Sequence, residues 1–166
     1  MPIDADNLEI RIATPEDMDQ VMQLAFMAAE ENGFIAPNVE RLVNEVWAAL
    51  NQQNGLCAAI GKPGGEIEGG VLLRIGNMWY SDAPVLEERV IFIHPDYRNA
   101  AGGRASKLCD FSKKVADSLG IPLLIGVLSN HRTAAKIRLY ERQFGKQSGA
   151  FFLYGAKTGE LSTTEH

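Results

Sequence analysis

Cysteine is scarce in this 166-residue chain, which carries only Cys57 and Cys109. Two cysteines cannot form a disulfide framework, and their spacing is not that of a metal site; each lies among apolar neighbours, as a reduced core residue does. Histidine is nearly as rare. His94, His131 and His166 are scattered, and none pairs at i+3 or i+4 with another ligand type, so no metal is expected. Positive charge is also short: 16 Lys and Arg stand against 21 Asp and Glu, a net −5. That balance argues against a nucleic-acid partner and mildly favours a cationic substrate. No apolar run approaches the roughly 20 residues that span a bilayer, so no membrane partner is expected. The opening Met1-Pro2-Ile3-Asp4-Ala5-Asp6 is acidic and lacks the basic-then-apolar layout of a signal peptide. A cytoplasmic location follows as the expectation.

What is present is ordinary globular material, with 46% hydrophobic and 22% charged residues. The length suits one domain over residues 1–166, with a core at about 8–156 and a short tail at 157–166. Leu8 to Ala13 alternates apolar and polar residues, which predicts a strand. Thr14-Pro15-Glu16-Asp17 starts a helix, with Thr14 as cap, Pro15 in the first turn and Asp17 completing a capping pair. A second amphipathic helix repeats Val39, Leu42, Val43, Val46, Trp47 and Leu50 at helical spacing. Strands at Leu56 to Gly61 and Ile67 to Ile75 flank the turn Lys62-Pro63-Gly64-Gly65. A buried strand is expected over Glu88 to His94, then a helix over Ala101 to Leu119 ending at Gly120-Ile121-Pro122. Leu123 to Leu128 reads as a buried strand, Thr133 to Phe144 as a helix stopped by Gly145, and Ala150 to Ala156 as a last strand. The order β-α-α-β-β-β-α-β-α-β describes a mixed α/β domain without repeats, its central strands partly parallel.

The richest stretch runs from Val90 to Ala105. A buried strand ends at Pro95, a loop of small residues follows, and a helix begins within it. A helix N-terminus presents unpaired N–H groups and about half a positive charge, so an anion is stabilised there. Ala100, Ala101, Gly102 and Gly103 leave room for a pyrophosphate, and Arg98 and Arg104 flank the loop. The absence of Gly-Lys-Ser/Thr excludes a nucleoside-triphosphatase loop, and the late position and glycine pattern do not fit a dinucleotide fold. A helix entry that merely uses small residues is the structural alternative.

On Arg98-Asn99-Ala100-Ala101-Gly102-Gly103 the chain resembles the GCN5-related N-acetyltransferases, whose signature after a strand is Arg/Gln-x-x-Gly-x-Gly/Ala. Ala101 stands where the first glycine usually does. The element order resembles that family's fold over about residues 8 to 156. Trp79-Tyr80-Ser81-Asp82 with Pro84 to Arg98 looks like a phage-borne or prophage-like branch. The resemblance implies acetyl-CoA as acetyl donor, its phosphates at Arg98, Asn99, Ala100, Ala101, Gly102, Gly103 and Arg104. It also implies a V-shaped slot where the pantetheine arm pairs with the backbone of Ile91 and Ile93, an amine-bearing substrate, direct attack in a ternary complex, and room for a homodimer.

Transfer to an amine needs a base near the nitrogen and an acid near the departing sulfur. In the family's pattern an Asn stands seven residues before a Tyr, with a Gly soon after. Tyr140 and Gly145 match, Thr133 occupies the Asn position, and Asn130 and Lys136 are candidates to replace lost cofactor contacts. Tyr140 is thus the candidate acid; a core tyrosine is its structural alternative. For the base, Glu87 and Glu88 precede the cradle strand, and only one can face the slot. Counting back from Arg98, Glu87 matches the place where some members of the resembled family carry a glutamate base, so the resemblance favours Glu87, with Glu88 and a water relay left open. A non-catalytic acyl-CoA-binding module is the alternative to the enzyme, and it would not need Tyr140.

Overall fold

A computed structural model of the chain describes residues 7–129 and 132–156. The expected first strand forms as β1, Glu9–Ile12. Arg11 projects from it and grips Asp17 through two 2.8 Å hydrogen bonds. Asp17 also accepts the Thr14 N–H at 2.8 Å, the capping pair foreseen in the sequence. Helix α1, Met18–Asn32, ends where Gly33 takes a left-handed φ of 66°. Helix α2, Val39–Leu50, is capped by the Asn38 side chain, which accepts the Arg41 N–H at 2.9 Å.

Strands β2 (Gly55–Gly61), β3 (Ile67–Asn77) and β4 (Pro84–Ile93) follow, then helix α3 (Arg104–Leu119), strand β5 (Leu123–Leu124) and helix α4 (Thr133–Phe144). The sheet runs β1-β2-β3-β4-β5, antiparallel through β4 and parallel between β4 and β5. Alternation along the strands sorts the core into two layers. Cys57, Ala59, Leu72 and Phe92 pack under Val21, Leu24, Val46 and Leu50 of α1 and α2. Ala58, Ile60, Val71, Leu73, Ile91 and Ile93 face the other way, towards Leu108 and Cys109 of α3 and Leu139 and Tyr140 of α4. Both cysteines are buried and free, as expected. Among the described residues no helix is long and apolar enough to cross a membrane.

Two expectations need correction. The strand read as buried over 123–128 pairs only at Leu86↔Leu123 and Glu87↔Leu124, and Leu124 and Leu128 are about half exposed. The cause lies in β4, where Leu73 pairs with Glu88 but Leu72 pairs with Val90, so Arg89 is bulged out of register. A bulge bends the strand that carries it, and beyond it β4 and β5 have no common ladder. The strand expected at the end of the chain is also absent over 150–154. A strand exists only where a neighbour accepts and donates its backbone hydrogen bonds, and Phe151, Phe152 and Tyr154 stand open to solvent instead. The order observed among the described residues is therefore β-α-α-β-β-β-α-β-α.

Candidate functional site at the strand fork

Past the end of β4, the chain turns through Pro95–Tyr97 and reaches α3 across Gly102 and Gly103, whose φ angles of 127° and 59° lie in the region that favours glycine. Gly103 caps α3 without a side chain, and the first turn of α3 holds no acidic residue. Among the described residues no side chain caps this end, so the orphan N–H groups of that turn suit an external acceptor. They overlook a cleft of about 340 Å³ whose walls include Ile91, Ile93, Ala100 and Gly103. Arg98, Arg104, Arg132, Lys136, Arg138 and Arg142 also line it, against Glu31 as the one carboxylate among the lining residues. In a chain of net charge −5 this is a strong local reversal of sign. Asn99, Ala101 and Gly102 belong to the same loop but do not line the cleft.

Arg98 and Arg104 do different things. Arg98 donates from Nε to the Ile93 carbonyl at 3.1 Å, pairs with Glu31, and lies 4.9 Å from the Phe92 ring centroid. Arg104 was expected to flank the loop, yet it turns inward and is almost wholly buried. Its Nε donates to Glu68 at 2.8 Å and its Nη1 to the Ala101 carbonyl at 3.0 Å, tying the loop to β3. Its Nη2 is buried with no hydrogen-bond partner among the described residues. An orphan guanidinium nitrogen, an uncapped helix and a cationic wall all suit a polyphosphate.

Beyond Glu87, no strand among the described residues pairs with β4 on the side where β5 departs. His94 donates its N–H to Glu68 across β3 at 2.9 Å, so by alternation the backbone groups of Phe92 also face β3, and those of Ile91 and Ile93 face the fork. On the far side of the fork lies a larger cleft of about 740 Å³, lined in part by the loop between α1 and α2 and by Glu88. Ile91, Lys136 and Tyr140 line both clefts.

Tyr140 is partly buried, and its edge meets the Phe144 ring at 5.9 Å between centroids. Burial, and then the charge of Glu88, hold its hydroxyl protonated well above the usual range. Lys136 is pulled below its usual range by burial, against the opposing pull of Glu31 and Glu88. Glu88 keeps some surface open to the larger cleft but is densely surrounded, and burial pushes its carboxyl up to about 7. The Gly126 amide, Lys136, the Ile91 amide and Arg89 oppose that rise. Glu87 sits elsewhere. It pairs in register with Arg74, its carboxylate packs over Gly76, and it lies 3.7 Å from Arg89; it lines neither cleft. Thr133 donates its hydroxyl to the Ser129 carbonyl at the start of α4. Asn130 lies outside the described residues.

Sequence reasoning passed over Glu31, Arg132, Arg138 and Arg142. Their signal was present: Arg132 with Lys136 and Arg138 with Arg142 are each four apart, the spacing that stacks side chains along a helix.

No family model matches the chain, and no curated protein matches it in sequence. Solved structures do match in fold. A possible acetyltransferase from Clostridium difficile 630 superposes with a TM-score of 0.67 at 16% identity, covering 90% of this chain and 97% of the other. AAC(6')-Iy in complex with the bisubstrate analogue CoA-S-monomethyl-acetylneamine gives 0.68 at 14% identity, covering 89% and 96%. An aminoglycoside acetyltransferase from an uncultured soil metagenomic sample, in complex with sisomicin, gives 0.62 at 18% identity, covering 92% and 98%. The fold is thus the mixed α/β fold of acetyltransferases, as the resemblance implied. Nothing in these neighbours points to a phage-like branch.

Proposed function

We propose that this chain is an N-acetyltransferase that moves an acetyl group from acetyl-CoA to an amine within a ternary complex. One observation carries the reading: a cationic cleft and a larger, less charged cleft meet at a single point, lined by Ile91, Lys136 and Tyr140. A donor with a phosphate-rich tail suits the first cleft and an acceptor suits the second. The bound donor would supply a thioester carbonyl as electrophile.

The residues then take these parts. The α3 N-terminus with Arg98 and Lys136 holds the phosphates, while Arg104 holds the loop in shape from behind. Ile91 and Ile93 offer backbone hydrogen bonds to the pantetheine arm, and an N–H from the same edge stabilises the oxyanion that develops on attack. We assign the base to Glu88 in preference to Glu87. Its carboxyl faces the acceptor cleft and its affinity for a proton is matched to neutral pH, the range in which a general base is effective. Tyr140, kept protonated, donates to the departing sulfur. Release of coenzyme A thiol on mixing the protein with acetyl-CoA and a panel of amines tests the reading. Amine-dependent release supports it; release at the rate without protein on every amine removes it.

A further inference from the structure

The acceptor cleft carries information about what it accepts, on the acetyl-transfer reading above. Its charged lining consists of Arg41, Glu45, Glu88, Arg89 and Lys136. Glu45 is already spent on arginines: Arg89 donates to one oxygen at 2.8 Å, and Arg74 lies 3.7 Å from the other. Glu88 is therefore the one lining carboxylate without an arginine partner among the described residues, and it stands beside Tyr140, where the reacting nitrogen belongs. A second ammonium group on the same acceptor would meet Arg41 or Lys136 rather than a free carboxylate. Apart from Asn32 and Asn38, the remaining lining is apolar, with Phe34 and Ile35 on the loop after α1, Leu42 on α2, and Leu128 and Phe151 on the open side. Phe151 is 82% exposed and Leu128 48%, so this wall holds apolar surface that none of the described residues covers.

We infer that the acceptor is a primary amine bearing a single positive charge on an apolar body. Its ammonium is drawn to Glu88, which takes the proton, and its body covers Phe34, Leu128 and Phe151. Polycationic acceptors, such as the aminoglycoside bound to the sisomicin complex among the structural neighbours, are disfavoured here. A buried cation without a counter-charge is costly, and the apolar stretch formed by Phe34, Leu128 and Phe151 gives the hydroxyls of a sugar no side-chain partner where they would lie against it.

The test compares kcat/KM for phenethylamine and tryptamine with kcat/KM for spermidine and sisomicin, using thiol release at saturating acetyl-CoA. Acetyl-CoA binding is measured by calorimetry on the same preparation. Monoamines should exceed the polyamines by about 30-fold or more, the scale on which a pocket discriminates by contact and unpaired polar groups. Phe34→Asp adds a carboxylate to the wall; it should lower kcat/KM for phenethylamine about tenfold and raise it for cadaverine, so that their ratio falls by more than about tenfold. Equal or better turnover of sisomicin or spermidine overturns the inference and leaves acetyl transfer standing. So does an unchanged phenethylamine-to-cadaverine ratio in a Phe34→Asp protein that still binds acetyl-CoA. Acetyl-CoA binding with no turnover of any amine also overturns it, while the cofactor cleft survives. Absence of acetyl-CoA binding removes the proposed function and this inference together.

Discussion

At the scale of single residues, the proposed chemistry falls to Tyr140 and Glu88, and their catalytic parts can be separated from structural ones. An acid for the departing sulfur acts only as the C–S bond breaks, so it stabilises the transition state and not the bound donor. Tyr140→Phe retains the ring that meets Phe144, so acetyl-CoA affinity and melting temperature should hold. Its kcat should fall by about 100- to 10,000-fold. Near-normal kcat with reduced stability would make Tyr140 a core residue. For Glu88 the pH dependence has a definite sign. Its carboxyl titrates at about 7 in the folded chain against an ordinary 4.5, so kcat/KM should rise with pH through about 7, as the base loses its proton. Glu88→Gln should flatten that limb and lower the rate, whereas Glu87→Gln should leave the profile in place. The same shift acts on stability. A raised carboxyl favours the folded state fully below 4.5 and loses that contribution as pH rises through about 7. The melting temperature of Glu88→Gln relative to the parent should therefore move in the variant's favour from about pH 5 to about pH 8.

At the scale of elements, what could be read in the sequence was what local chemistry decides. The stops at Gly120 and Gly145 and the capping pair of Thr14 and Asp17 are decided within a few residues, and α1, α2 and α4 fall where the pattern puts them. The choice of Glu88 over Glu87 was not legible in this way. It depends on the bulge at Arg89, which appears only when β3 and β4 are laid in register. The shortness of β5 follows from the same bulge, because a strand fork is a relation between two distant segments. The basic face of α4 was legible in spacing but gained meaning only when α4 was seen beside the cradle. Two variants test elements directly. Asp17→Asn breaks the bidentate grip of Arg11 that ties β1 to the start of α1. It should lower stability by about 1–3 kcal/mol in denaturant titration, with kcat unchanged. Gly103→Val places a branched side chain at a φ of 59° on the rim of the cationic cleft. It should raise KM for acetyl-CoA by about tenfold or more, and lower stability by about 1–3 kcal/mol through backbone strain. Unchanged KM in a folded Gly103→Val protein would move the phosphate site elsewhere.

At the scale of the whole molecule, charge is separated between the two clefts. A chain of net −5 gathers six cationic side chains around the uncapped start of α3 and leaves the acceptor side nearly balanced. Such an arrangement suits a polyanion in one place and does not spread positive charge over the rest of the surface. Ligand that binds only the folded state stabilises it by mass action, by about 2.7 kcal/mol at a concentration 100 times Kd. The most direct test is therefore titration of the protein with acetyl-CoA in a calorimeter, with melting followed on the same samples. The account predicts a saturable heat and a melting temperature that climbs with acetyl-CoA, both weakened when the pyrophosphate is removed from the ligand. No heat and no change in melting up to millimolar acetyl-CoA would contradict it.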